Sequence, residues 1–171
     1  LPPWLLRNDI FAITGAVSAV VGFALLGALT FLPLFQQIVR GMDPTESGLQ
    51  LVPLMAGVLV ASVIGGQIVT RTGRYRVFPI AGTAVATGGM ALLSTMDQHT
   101  SVLEASGYML LLGSGLGMLM QVLMLAVQNA VDYESLGVAT AGNTLLRSVG
   151  GSLGTAVLGA VFANRLAANL D

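Results

Sequence analysis

Residues 65–76 read GGQIVTRTGRYR and separate two strongly apolar runs of the chain. The chain has seven basic residues among its 171, all of them arginine, and three of the seven lie in this segment, at Arg71, Arg74 and Arg76. Since charge is scarce everywhere else, its concentration here indicates a turn in water between two segments that avoid water.

The composition supports a chain whose solvent is lipid. Only 9% of the residues are charged and 54% are hydrophobic, and the mean hydropathy is +0.83, whereas a soluble domain is about 25% charged. The net charge of -1 and the lack of a basic tail argue against a nucleic-acid partner. The chain contains no cysteine, which excludes disulfides and thiol chemistry.

Five apolar runs meet the length of about 20 residues that a membrane-spanning helix needs. None alternates as the strands of a membrane barrel do, so we expect all of them to be helical. The sequence predicts an all-α integral membrane protein, one transmembrane domain over 1–171, with helices at about 10–37, 48–69, 77–96, 105–131 and 136–163.

The start of the second helix carries a sequence signal of its own. Residues 47–50 read SGLQ, in which Ser47 and Gln50 have the spacing of a capping box. We therefore expect Ser47 to cap the second spanning helix.

The arginines predict an orientation, because cytoplasmic loops are enriched in Lys and Arg. If the loop from Arg71 to Arg76 is cytoplasmic, Arg7 is also inside, while Arg40 and Arg165 are outside. We expect a multi-pass protein of the plasma membrane with a cytoplasmic amino terminus.

Glycines mark the helix faces that we expect to pack, since small residues let helices approach closely in lipid. Gly113 and Gly117 share one face of the fourth helix, and Gly150 and Gly154 share one face of the fifth. A phosphate-binding loop at 113–117 is disfavoured, because no strand precedes it and no Walker lysine follows.

Arg147 is a charge inside the fifth apolar run. A guanidinium at the membrane centre costs about 2.5–3.5 kcal/mol on insertion scales, so it rarely faces lipid. Three roles stay open: pairing between helices or between halves of a larger protein, reaching toward the cytoplasmic surface, and a direct part in coupling or substrate binding.

The opening segment, read as Gly66-x-x-x-Thr70-Arg71-x-Gly73-Arg74-x-Arg76, resembles the loop signature G-x-x-x-D-R-x-G-R-K/R-x of the major facilitator superfamily. Other stretches resemble the same family in the same order. Residues 47–53, SGLQLVP, are similar to the start of the helix before that loop. Residues 4–11 and 31–35 look like the start of the carboxyl-terminal half, and 137–154, GVATAGNTLLRSVGGSLG, resembles a late helix of the fourteen-span EmrB/QacA-like drug–proton antiporters.

The resemblance implies a transporter fragment. The five helices would be most of the six-helix carboxyl-terminal half, with the amino-terminal half and the closing helix missing. It implies proton-coupled efflux of hydrophobic or cationic drugs by alternating access, with a small-molecule substrate, the proton, the lipid bilayer and the missing half as partners. The chain has Thr70 where the family usually has aspartate, which weakens the case for a conformational latch.

Two sets of residues receive roles from this resemblance. The first is a gating loop whose alternative role is to orient the protein and cap the second helix: Gly66, Thr70, Arg71, Gly73, Arg74 and Arg76. The second set is expected to line the central cavity: Phe31, Phe35, Met118, Gln121 and Met124. Its apolar and aromatic surface suits organic cations. Packing against lipid or against other helices is the simpler interpretation of these residues.

We expect no enzyme activity, no catalytic residues, no metal site and no cofactor. The five runs contain no acidic residue, and intramembrane hydrolysis would need paired acids, a metal cluster or a positioned base. The alternative function is a small, complete five-helix scaffold or assembly subunit without transport activity.

Overall fold

The computed structural model describes residues 9–72, 77–97 and 99–168, without the side chains of Thr72 and residues 165–168. Within these ranges the chain forms helices and no strand. The helices are α1 Asp9–Arg40, α2 Pro44–Leu49, α3 Val52–Thr72, α4 Val77–Ser94, α5 Val102–Asn129 and α6 Leu136–Ala168, and a 3-10 turn at Tyr133–Ser135 precedes α6.

Five helical segments are long and apolar enough to cross a membrane: Asp9–Arg40, Pro44–Arg71, Val77–Ser94, Val102–Asn129 and Tyr133–Asn164. This confirms the all-α fold with five spans. The fourth span begins at Val102, three residues before the predicted start, and the short helix α2 forms the beginning of the second span.

The predicted capping box at Ser47 is wrong. Ser47 lies inside α2 and is buried, where its hydroxyl donates to the carbonyl of Pro44 at 2.9 Å. The amide of Gln50 instead lies 3.3 Å from the sulfur of Met42. The physical reason is Pro44, whose fixed φ suits the first position of a helix and starts α2 ahead of the expected cap.

By their contacts, the residues group into two compact units. The first consists of Leu1–Phe31 and Val127–Asp171, and the second consists of Leu32–Ala126. One boundary falls within α1, beside Pro33, which has no backbone N–H to donate to the preceding turn. The other falls near the end of α5, between Ala126 and Val127. The prediction of one domain over 1–171 stays a prediction.

In the first unit, the beginning of α1 packs along α6, and both helices run in the same direction. The contacting positions rise together along the two helices: Gly15 lies against Leu146, Gly150 against Ala19, and Gly154 against Phe23. Beside them, a small buried core contains Phe11, Val127 and Ala139, with Val131 and Leu146 packed against it. Since parallel neighbours start at the same end, α1 and α6 begin on one side of this unit.

In the second unit, α5 is the central helix. Half of the residues in its most apolar stretch are buried, compared with 22% in the span that contains α3 and 11% in α4. The helix α3 runs parallel to α5, with Leu54 at Gly113 and Val58 at Gly117. The helix α4 runs antiparallel to α5, because its partners on α5 fall as its own numbers rise: Gly82 meets Leu119, and Gly89 meets Leu112.

The segment 113–117, GSGLG, places glycine on two sides of α5 at one level. A Cβ at Gly113 or Gly117 would collide with the backbone of α3, and one at Gly115 would collide with Ala86 of α4. Successive residues of a helix are about 100° apart, so Gly115 lies nearly opposite the other two. The spacing of the three glycines therefore lets α5 contact both neighbours closely.

Candidate functional site at the α3–α5 groove

An open groove lies between the last turns of α3 and the second half of α5. Its volume is about 390 Å3. It is lined by Ser62, Val63, Gly66, Gln67, Thr70 and Gln121. All but Gln121 belong to α3, and the groove therefore follows one face of that helix.

Gly66 makes the space that Gln121 occupies. A Cβ built at Gly66 would lie 3.1 Å from the amide nitrogen of Gln121 and 3.4 Å from its Cγ and Cδ. The amide of Gln121 thus extends across the backbone of α3. A side chain at position 66 would push it away.

The two hydroxyls in the groove bond to backbone carbonyls. Ser62 Oγ donates to the carbonyl of Gly117 at 3.1 Å, which ties α3 to α5. Thr70 Oγ1 lies 2.9 Å from the carbonyl of Gly66 and 3.0 Å from that of Gln67, both in its own helix. Neither hydroxyl proton is therefore free for a ligand.

The amides of Gln67 and Gln121 are the polar groups left to bind something. Gln67 is exposed and Gln121 is half-buried. Neither side chain forms a hydrogen bond with the parts of the chain that the structure describes. Each amide has donors and an acceptor, so the groove can bind polar uncharged groups beside the apolar wall of Val63.

The structure brings together residues from two separate predictions. Gly66 and Thr70 come from the expected gating loop and Gln121 from the expected cavity lining, yet all three line one groove. Arg71 is exposed in the last turn of α3. The remaining residues of the motif, Gly73, Arg74 and Arg76, lie outside the described residues.

The other residues predicted to line a cavity are half-buried and do not line this groove. Met118 and Met124 belong to α5 with Gln121, and Phe35 belongs to α1 in the second unit. In the first unit, the ring of Phe31 lies 6.2 Å from that of Phe162 at an interplanar angle of 46°. This contact is a packing arrangement, and a cavity role for the four residues stays a prediction.

Arg147 lies in the first unit, about three turns after the start of α6. Its backbone carbonyl and its Cγ lie beside Gly22 of α1, where a Cβ would have no room. The side chain is half-buried. No hydrogen bond or ion pair joins its guanidinium to a residue within the described ranges.

Sequence reasoning missed Ser62 and Gln67 as members of the groove. A signal was present, since Ser62, Gly66 and Thr70 recur every four residues along α3. Positions four apart share a helix face, so the two hydroxyls and the glycine between them lie along one face. Among the residues that the structure describes, no group of three or more His, Cys, Asp or Glu side chains could hold a metal ion.

Comparison with known proteins yields one family. The sequence profile described as Major Facilitator Superfamily matches residues 2–155. An uncharacterized MFS-type transporter of Mycobacterium tuberculosis (strain H37Rv) is 49% identical over 166 residues, which are 97% of this chain and 24% of that protein.

Two further relatives have names that refer to drugs. The multidrug transporter protein MdtP of Bacillus subtilis is 38% identical over 161 residues, 94% of this chain and 30% of the relative. The tetracycline resistance determinant of Streptomyces rimosus is 32% identical over 158 residues, 92% of this chain and 46% of the relative. The chain therefore spans about a quarter to a half of the relatives that it matches.

Proposed function

Since this chain belongs to the Major Facilitator Superfamily, we propose that it is part of a proton-coupled exporter of hydrophobic or cationic drugs. The chain is a segment of a multi-pass membrane protein with five candidate spans. The observation that carries the proposal is its 38% identity to a multidrug transporter over nearly its whole length. The alternative of a five-helix scaffold is not favoured, because the family consists of transporters.

The transport mechanism that we propose is alternating access. In such transporters, two halves rock around a site near the middle of the membrane. The chain would supply most of the carboxyl-terminal half of a fourteen-span antiporter. The residues that carry protons would lie in the other half, since the predicted spans contain no acid here.

We propose that the groove of the second unit contacts the transported molecule or the opposite half. Its free amides, on Gln67 and Gln121, offer hydrogen bonds without charge next to an apolar wall. The hydroxyl of Thr70 bonds within α3, so it does not supply the charged partner that a latch with aspartate would have. A gating role for the segment from Gly66 to Arg76 therefore rests on shape and on the arginines.

Transport itself is tested with the full transporter in liposomes. A pH gradient across the liposome membrane supplies the driving force for dye uptake. The movement of a fluorescent organic cation such as ethidium is then followed. We expect the dye to move only with the gradient. Correctly inserted protein that moves no dye under any gradient contradicts the proposal, and dye movement without dependence on the pH gradient contradicts the proton coupling.

The role of Gln121 is tested with Gln121→Leu in the same assay. Removing the amide while keeping the bulk should raise the KM for dye by about 5- to 30-fold, the range of one lost hydrogen bond of about 1–2 kcal/mol. The matched control is Gln128→Leu, because Gln128 is an exposed amide on the same helix and lies outside the groove. Equal KM values for the two variants would remove Gln121 from the site.

A further inference from the structure

Gly65 and Gly66 are neighbours on α3 with different surroundings. A Cβ built at Gly65 would lie 3.7 and 3.8 Å from ring atoms of Phe78 on α4, which is ordinary van der Waals contact. A Cβ built at Gly66 would lie 3.1 Å from the side chain of Gln121 on α5, which is tighter than such contacts usually are. Position 65 therefore has room for alanine, and position 66 has room only if Gln121 moves.

The distances show how Gln121 lies against α3. From the Cβ position of Gly66, the amide nitrogen is 3.1 Å away, and the Cδ and Cγ atoms are each 3.4 Å away. An amide that pointed at Gly66 end-on would place Cγ much farther away than the nitrogen. The group therefore lies side-on, and the whole end of the Gln121 side chain occupies the space that a side chain at position 66 would take.

Two contacts fix the helices that carry this pair. Ser62, one turn before Gly66, donates to the carbonyl of Gly117, one turn before Gln121, at 3.1 Å. A Cβ at Gly117 would overlap the backbone of Val58. Because the backbones of α3 and α5 are held this closely, a methyl group at position 66 displaces the side chain of Gln121 rather than a helix.

A small displacement of this amide changes what it can bind. An amide has two N–H donors and an oxygen acceptor, and its hydrogen bonds depend on distance and angle. The shift that a Cβ at Gly66 requires is a few tenths of an ångström. A binding group has to be held within about 0.5 Å of its productive position, so this shift weakens a hydrogen bond from Gln121 to a ligand while the fold persists.

We propose that Gly66 is a positioning residue for the amide of Gln121, and that this pair makes the groove select organic cations that carry hydrogen-bonding groups over cations that carry none. The selection rests on the proposed function of the groove. The positioning rests only on the contact between α3 and α5. Glycine is needed at position 66 because a Cβ would enter the space of the amide.

Selection is tested in the full transporter with two fluorescent cations. One is 3,6-diamino-10-methylacridinium, and the other is 10-methylacridinium, which has the same rings and charge but no amino groups. In Gly66→Ala, we expect the KM for the diamino cation to rise by about 3- to 10-fold, the range for a weakened hydrogen bond, and the KM for the other cation to stay within about twofold of the parent. A general structural defect would raise both values.

Gly65→Ala is the matched control, because it adds the same methyl group at the neighbouring position, where a Cβ meets Phe78 and not Gln121. Both KM values should stay at those of the parent. If Gly66→Ala and Gly65→Ala give the same ratio of the two KM values, the selection does not exist.

The positioning is tested without transport, by melting temperatures in detergent. Gln121→Ala removes Cγ, Cδ and Nε2, the atoms that crowd position 66. Replacing a helical glycine by alanine stabilises where there is room, so Gly66→Ala should raise the melting temperature more in the Gln121→Ala background than in the parent. Equal shifts in the two backgrounds would show that positions 66 and 121 act independently, which overturns the positioning.

The two measurements have separate outcomes. A correctly inserted protein that moves neither cation contradicts the proposed function, while the melting temperatures still decide whether Gly66 positions Gln121. Unequal melting shifts together with an unchanged ratio of KM values would show that the positioned amide meets no ligand, which overturns the selection.

Discussion

Arg147 is a positively charged residue within a candidate membrane span. The acidic residues that the structure describes lie in loops or at the beginnings of helices, none beside the guanidinium: Asp9, Asp43, Glu46, Asp97, Glu104, Asp132 and Glu134. A lone cation in a span is costly and usually has a functional reason. Its counter-charge would come from outside this part of the chain.

We expect Arg147→Ala to lower the initial rate of dye efflux by the full transporter at least tenfold while leaving insertion normal. Insertion should not suffer, because the substitution removes a charge that costs about 2.5–3.5 kcal/mol in a span. Arg147→Lys, which keeps the charge, should retain much of the rate. Full efflux by Arg147→Ala at equal membrane levels would exclude a functional role.

Gly117 tests at one position whether close helix approach stabilises the second unit. A Cβ there would overlap the backbone of Val58, and backbone cannot move aside as a side chain can. Gly117→Ala should therefore destabilise the protein by about 1–3 kcal/mol, measured as a lower melting temperature in detergent.

The control for Gly117 lies on the same helix. A Cβ at Gly107 meets no atom within 4 Å, so Gly107→Ala should be neutral or should stabilise by about 0.5–1 kcal/mol, as expected for replacing glycine in a helix. If both alanines changed the melting temperature equally, contact with α3 would not be the cause.

Among the elements, α5 shows what the sequence did and did not predict. Hydropathy predicted the span but placed its start at residue 105, whereas α5 begins at Val102. Ser101 and Glu104 form a reciprocal cap: the carboxylate accepts from the Ser101 N–H at 2.9 Å, and the Glu104 N–H donates to the Ser101 hydroxyl at 3.2 Å. The pattern Ser-x-x-Glu was readable, but hydropathy alone excluded a charged residue from the span.

The groove was harder to predict than the helices. Gln121 and Gly66 could each be selected from the sequence, but nothing in the spacing of one helix reveals which other helix lies beside it. Their contact depends on the parallel packing of α3 and α5, which places Gly66 at the level of Gln121. Elements follow from local hydropathy, whereas sites depend on which elements become neighbours.

The turn between α4 and α5 should respond to acid. The carboxylate of Asp97 accepts hydrogen bonds from the backbone N–H of His99 at 2.8 Å and of Thr100 at 2.9 Å, and from the Thr100 hydroxyl at 3.1 Å. The bond from the His99 N–H, followed by that from the Thr100 hydroxyl, holds the pKa of Asp97 below its ordinary value of 3.8. A lowered pKa means that the ionised form stabilises the folded turn, so the stabilisation is present above 3.8 and is lost as pH falls.

We therefore expect the amide protons of His99 and Thr100 to exchange faster at pH 3 than at pH 6, after correction for intrinsic rates. In Asp97→Asn, which has no carboxylate to protonate, the corrected rates should be the same at both pH values. Equal protection of the parent at pH 3 and pH 6 would contradict the role of the charge.

At the scale of the whole molecule, the distribution of arginine predicts which side of the membrane each turn faces. With the segment 71–76 in the cytoplasm, the turn before α5 is outside and the turn before α6 is inside. Single cysteines can report this in a chain that has none. In intact cells, an impermeant maleimide should label His99→Cys but not Tyr133→Cys, and both should be labelled after permeabilisation. The reverse pattern would invert the proposed orientation.

The packing of α3 on α5 has a consequence for how the two helices stay aligned. Glycines four residues apart present nearly the same surface after every turn, so a slip of one turn, about 5.4 Å, would recreate similar backbone contacts. The hydrogen bond from Ser62 to the carbonyl of Gly117 and the amide of Gln121 over Gly66 do not repeat in this way. This hydrogen bond and this packing contact therefore select one alignment out of several that the glycines alone would allow.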